Sequence, residues 1–231
     1  MKNIFFILLS SLLFFSCRYK SGSGNLVKQT REVSSFSGLS VSGDFDVTLT
    51  QGNTSRVEVE SDDNLMDEIK TKVNNGTLEI YFDKVTKLRN GTFNIYITVP
   101  ELNKIDASAT ANIKANGIFK TGDEFIIKSS SAGEIKINAD APSIKLQSSS
   151  AGQISISGRT RNLTVNASSG AEIRAKNLLS ETADASASSG ADVDVYASIS
   201  LNASASSGGS IHYSGKPHVN KRESSGGSVN G

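Results

Sequence analysis

The chain has 231 residues, 24 Lys and Arg against 23 Asp and Glu, and a formal net charge of +1. That balance argues against a nucleic-acid binder, which carries a basic stripe or a high isoelectric point, and gives no sign of electrostatic membrane attachment. Trp is absent, aromatics make up 6% of the residues, and Ser, Gly, Ala and Asn are abundant, a composition unlike that of helix-rich domains.

Ile4 to Phe15 is an apolar run broken only by Ser10 and Ser11, preceded by Lys2 and followed by Ser16 and Cys17. A charged start, a short apolar core and a small residue before the cut describe a secretory signal peptide over residues 1–16. Leu13-Phe14-Phe15-Ser16-Cys17 resembles a bacterial lipoprotein box, which implies that Cys17 receives diacylglycerol and becomes the mature N-terminus. Acyl chains then hold the protein at a bilayer, each buried CH₂ adding about 0.8 kcal/mol. Cys17 is the single cysteine, so no intrachain disulfide forms. Residues 17–30 include the polar run from Arg18 to Asn25 and read as a flexible tether. A single folded domain is expected over residues 31–231.

From about Arg31 to Pro100 the pattern is that of strands. Phe45, Val47 and Leu49 alternate with polar residues, as do Val57 and Val59, then Leu78, Ile80 and Phe82, then Phe93, Ile95, Ile97 and Val99. Gln51-Gly52-Asn53, Asn74-Asn75-Gly76 and Asn90-Gly91 supply turns. Ser61 to Lys70 is the one helix-like patch, with Ser61 or Asp62 as cap and Leu65, Met66 and Ile69 on one side. One or two helical turns are expected there.

From Leu102 onward a serine-glycine signature recurs: SSSAGEI, SSSAGQI, ASSGAEI, ASSGADV, SSGGSI and SSGGSV. The branched residues closing these copies are Ile135, Ile154, Ile173, Val193, Ile211 and Val229, spaced 18 to 20 residues apart. ASATANI, ending at Ile113, reads as a degenerate first copy. Ahead of each signature lies an alternating apolar pair: Phe125/Ile127, Ile144/Leu146, Leu163/Val165, Ala183/Ala185 and Leu201/Ala203. The last copy has Val219 and Lys221, so its pair is half lost. Each repeat therefore predicts a strand, a tight small-residue corner and a second strand. Such a unit cannot bury its apolar face alone, so the copies must stack. Parallel pairing about 4.8 Å apart makes columns of like residues, with aliphatic columns inside and polar ones outside. The fold class expected is an all-β, parallel β-helix-like solenoid with a strand-rich N-terminal part and at most a short helix.

The lipoprotein start, the GDFDVTLTQG strand, the NNGTLEI hairpin, the FNIYITVPEL strand and the tandem serine-glycine corners together resemble the bacterial family described as "putative auto-transporter adhesin, head GIN domain". The resemblance spans about Arg31 to Val229. It implies a right-handed β-helix-like body, frequently lipid-anchored or secreted and common in Bacteroidetes. It brings no catalytic residues.

The residue chemistry points the same way. His212 and His218 are the only histidines and have no cysteine partner, so they read as surface residues rather than zinc ligands. Asp44/Asp46, Asp62/Asp63, Asp67/Glu68, Asp123/Glu124 and Asp192/Asp194 are paired acids. Asp44/Asp46 and Asp192/Asp194 are spaced to face one side of a strand. Ca²⁺ binding or a glycosidase-type carboxylate pair is the sharper reading of them, and solvated outer faces the simpler one. No GxSxG or phosphate-loop motif accompanies the serines, which read as corner residues. Tyr81, Tyr96, Tyr196 and Tyr213 are candidates for stacking on a sugar, and Tyr196 and Tyr213 lie about one coil apart.

The expected function is non-enzymatic: a lipid-anchored outer-membrane protein, on the periplasmic or cell-surface face, presenting a β-helical surface for binding. Its partners would be the membrane, through the lipid, and glycan or envelope and matrix protein ligands. No cofactor, metal or nucleic acid is expected, and the only modification site is Cys17. The alternatives are a glycan-active enzyme on a β-helix, or a structural module that self-associates through an uncapped C-terminal coil.

Overall fold

The computed structural model describes residues 19–83 and 87–231. The signal peptide expected over residues 1–16 and the lipidation expected at Cys17 fall outside the described residues.

Strands β1 (Tyr19–Ser21), β2 (Leu26–Arg31), β3 (Gly38–Ser42), β4 (Asp46–Gln51) and β5 (Arg56–Asp62) come first. After one 3₁₀ turn (Met66–Glu68) follow β6 (Ile69–Asn74), β7 (Thr77–Phe82), β8 (Lys87–Arg89) and β9 (Phe93–Val99). The repeat supplies β10 (Lys104–Ser108), β11 (Asn112–Lys120), β12 (Glu124–Ser129), β13 (Glu134–Ser148), β14 (Gln153–Ala167) and β15 (Glu172–Ser188). It ends with β16 (Asp192–Ala197), β17 (Ser200–Ser206), β18 (Ser210–Gly215), β19 (His218–Glu223) and β20 (Ser228–Asn230).

The strands form a parallel β-solenoid with two long sides. On one side β7, β3, β10, β12, the C-terminal halves of β13 to β15, β17 and β19 pair in parallel. On the other, β9, β4, β11, the N-terminal halves of β13 to β15, β16, β18 and β20 do the same. The β3–β4 coil is first in sequence among these but lies between the coil of β7 and β9 and the coil of β10 and β11. The chain passes beyond it, returns, and then resumes in order. Antiparallel strands finish the N-terminal end: β6 on β7, and β5 on β9 with β2 outermost.

The interior is made of columns because parallel register repeats each position from coil to coil. Ile113, Ile135, Ile154, Ile173, Val193, Ile211 and Val229 are in register, as the sequence spacing predicts. All of them are at most 2% exposed. Opposite them run Leu39, Ile105, Ile127, Leu146, Val165, Ala185 and Ala203. Phe45, Phe82 and Phe93 seal the N-terminal corner, Phe45 stacked on Phe82 with ring centroids 4.2 Å apart.

The serine signature is the corner. Ser131 and Ala132 have φ of 51° and 62°, and the N–H of Gly133 donates to the carbonyl of Ser130 at 2.9 Å. Two successive left-handed residues closed by such a bond carry the φ signature of a type I′ turn. The turns also bond to each other. N–H groups of Thr110, Ala132, Ala151, Gly170, Gly190 and Gly208 donate to carbonyls of Ser131, Ser150, Ser169, Ser189, Ser207 and Ser225, at 3.1–3.2 Å. The in-register bond from Thr110 makes ASATANI the first of these corners.

Two expectations need correction. The tether is not free after Tyr19: β1 pairs with β8, and β2 pairs antiparallel with β5. Its polar residues find partners, since Gly24 N–H donates to Asp62 at 2.7 Å and Ser23 Oγ to Asp63 at 2.6 Å. The helix-like patch is only the 3₁₀ turn, with no side-chain cap. Leu65, Met66 and Ile69 are buried there as expected, but Ser61 and Asp62 are buried too, at the end of β5. In the last coil Lys221 and Glu223 stand in register with Ala203 and Ala205 of the coil before it, and both are exposed.

Candidate functional site

The outward-facing positions of the coils form columns, and shallow grooves run along them, of which three are larger than a fourth of about 310 Å³ near Asp184, Asn202 and Arg222. The first follows the serine corner, with a volume of about 460 Å³, and is floored by Asp106, Lys128, Gln147, Asn166 and Ser186. These residues point outward because they alternate with buried Ile105, Ile127, Leu146, Val165 and Ala185. The corner serines have structural environments. Ser129 turns inward and donates from Oγ to the carbonyl of Gly133 at 2.6 Å, the next coil places buried Ser148 at the same register position, and the coils after it place the buried alanines 167, 187 and 205 there.

The second groove, about 540 Å³, lies at the opposite bend of the coil, where β13 and β14 turn without breaking. Asp140, Arg159, Arg161, Glu181 and Tyr196 meet there from successive coils. Arg159 lies 3.6 Å from Asp140, with both side chains substantially exposed.

The third groove, about 480 Å³, lies on the side formed by β11 and the N-terminal halves of β13 to β15. Register shifts in β11 and between β14 and β15 fall within this surface. Its cations are Lys114, Lys136, Arg174 and Lys176, and no carboxylate lines it. The sequence carries a signal for it. Lys114, Lys136 and Arg174 each directly follow the branched residue that closes a signature copy.

The sequence-selected residues are scattered. Asp192 and Asp194 both point outward on β16, whereas Asp44 sits in a bend before β4, so Asp44 and Asp46 do not share a strand face. Asp46 accepts from Asn112 Nδ2 at 2.7 Å. His212 Nε2 is 3.8 Å from Asp192, both exposed, and His218 is exposed on β19. Among the described residues no three His, Cys, Asp or Glu side chains gather as a metal site. Tyr196 and Tyr213 do not pair. Tyr213 is in register with inward Val195 and packs against the core, while Tyr196 lines the second groove. Tyr81 lies half-buried on β7. Tyr96 donates from its hydroxyl to Glu60 at 2.9 Å beneath Lys28. Hydrogen bonds from Asn94 and Tyr96 hold the Glu60 carboxyl below its ordinary range.

Asp62 is the polar residue the sequence reading placed least well. It is 1% exposed and accepts the N–H groups of Gly24 at 2.7 Å and Thr92 at 2.9 Å. These bonds, Thr92 first, lower its carboxyl below the ordinary value of 3.8. Together with Asp63 and Asn64 it clasps residues 21–25 to the body.

Solved structures share this architecture. A "putative adhesin" from Bacteroides fragilis superposes with a TM-score of 0.83 at 24% identity, covering 91% of this chain and 98% of its own. A "putative lipid binding protein" from Parabacteroides distasonis gives 0.73 at 23%, covering 92% and 99%. A "putative adhesin" from Parabacteroides merdae gives 0.71 at 19%, covering 92% and 98%. At these identities the likeness is one of fold. No curated protein matches the chain in sequence. Residues 35–217 match the profile of the family described as "Putative auto-transporter adhesin, head GIN domain", and the chain belongs to that family.

Proposed function

We propose that this chain is a non-enzymatic, lipid-anchored protein of the outer membrane that offers a rigid β-solenoid surface for binding. The observation that carries this reading is the ladder itself. Both long sides and every corner bond from coil to coil, and the side chains left outside the core stand in columns flanking shallow open grooves. Such a surface suits extended, multivalent contact rather than enclosure of a small substrate. The family's adhesin description is consistent with it. The anchor in this proposal is Cys17, and β1 begins at Tyr19, so a lipid there leaves almost no spacer before the folded body. The N-terminal end of the solenoid would then face the bilayer and the grooves would run away from it.

The test is a glycan and matrix-protein array probed with the full chain in detergent. Selective, saturable binding to one ligand class is expected, and a blank array would overturn the reading. Palmitate labelling tests the anchor: it is expected in the wild type and lost in Cys17→Ala, and unchanged labelling sinks it.

One observation favours a second reading. Asp140, Arg159, Arg161, Glu181 and Tyr196 share the second groove, the mix of acids, bases and an aromatic that glycan chemistry uses. Product analysis on each array-positive glycan, with Asp140→Asn and Glu181→Gln alongside, separates the two.

A further inference from the structure

We infer that the third groove is a binding site for acidic polysaccharide, one bearing carboxylate or sulfate groups along its length. This rests on the binding-surface reading above and adds the ligand class and its place.

Charge is the first ground. The whole chain is almost neutral, at +1, yet four cations line this one groove with no acid among the lining residues. Arg174 is held by Glu172 at 2.5 Å on the neighbouring outward column. Lys114, Lys136 and Lys176 have no ion pair among the described residues. Their exposure leaves them able to meet a ligand.

Register is the second. Lys114 lies directly across the ladder from Lys136, Lys136 from Ser155, and Ser155 from Arg174. Adjacent strands stand about 4.8 Å apart, so two like charges face each other across one ladder step, an arrangement that costs stability. An anion lying along the column relieves that repulsion. The cations repeat along the solenoid axis rather than encircling one point, which fits a linear polyanion better than a single small ion.

The lining beside the cations is the third. Asn138, Ser157 and Asn177 are in register and form an amide and hydroxyl row next to the lysine column, over a floor that includes Ile137 and Ile156. Amides and hydroxyls match the hydroxyl groups of a sugar chain, and aliphatic carbon suits its C–H faces. The lining has no aromatic residue, so the stacking platform that single-stranded nucleic acid uses is missing.

The experiment is equilibrium binding of the full chain in detergent to heparin, polygalacturonate and neutral dextran. Comparison arms use phosphatidylglycerol vesicles and a single-stranded DNA oligonucleotide. K114Q/K136Q removes two groove charges, and K104Q/K145Q removes two from the opposite side, outside the grooves, as a charge-matched control. At least one acidic polysaccharide should bind and dextran should not. The groove variant should weaken binding on the order of tenfold or more and flatten its salt dependence, while the control changes it less than about twofold. Equal loss in both variants, equal binding of dextran, or preference for vesicles or DNA overturns the inference. An array ligand that is neutral, with binding indifferent to K114Q/K136Q, overturns it while leaving the broader binding-surface reading intact.

Discussion

Ala132 and Ala151 hold φ of 62° and 60° at corner positions where later coils carry Gly170, Gly190, Gly208 and Gly226. A left-handed conformation costs an L-residue roughly 1–2 kcal/mol, partly offset because glycine gains freedom when unfolded. Ala151→Gly should therefore raise stability by up to about 1 kcal/mol and Gly170→Ala lower it by about the same, read from urea midpoints. A Cβ at Gly170 meets nothing within 4 Å, so strain alone decides that case. Gly158 differs: its φ is 120° and an added Cβ would stand 2.0 Å from the carbonyl oxygen of Ala139. Gly158→Ala should cost clearly more, about 2 kcal/mol or above. At Asp62 and Asp63 the folded carboxyls sit below their ordinary value of 3.8. Their contribution is present above that value and fades as pH falls through the lower folded one. Acid should thus free residues 21–25 before the coils melt. Proteolysis at that segment below about pH 4, absent at neutral pH, checks it. Asp62→Asn should show the same cleavage at neutral pH.

Among the elements, the repeat strands were the most legible in sequence. Their apolar pairs alternate with polar residues, and a one-residue slip would turn every one outward. Leu146 in the middle of an inner column is fully buried, so Leu146→Ala should cost about 2–5 kcal/mol. The N-terminal segment was misread because Gly, Ser and Asn look the same in a linker as in a polar clasp. What distinguishes them here is Asp62, about forty residues along the chain, whose partners no local pattern reveals. The helix-like patch failed for a related reason: β5 runs on through Ser61 and Asp62, which leaves room for only one 3₁₀ turn. Lys221 looked like decay of the repeat. Its Nζ donates to the Val229 carbonyl at 3.2 Å, and Glu223 accepts the Val229 N–H at 2.6 Å. Charged side chains of this kind blunt an open strand edge. Replacing both, as Lys221→Val with Glu223→Ala, should extend the apolar column and produce self-association by sedimentation velocity. A monomeric double variant would remove that role from the pair.

At the scale of the whole molecule, antiparallel strands close one end of the solenoid and a charged pair marks the last described coil, with continuous outer columns between. The grooves were only partly legible. Residue order gives each column once the register is known, and the register shifts show in sequence only as longer spacings, 22 residues from Ile113 to Ile135 and 20 from Val165 to Ala185, which do not tell how the surface is shaped. The central claim is that these columns bind without chemistry. It is tested most directly by holding the best array ligand with stoichiometric full chain while following bound fraction and ligand integrity together, by calorimetry and mass spectrometry. The expected result is reversible, saturable capture with the ligand recovered intact. Progressive cleavage of the ligand that disappears in Asp140→Asn or Glu181→Gln would contradict it.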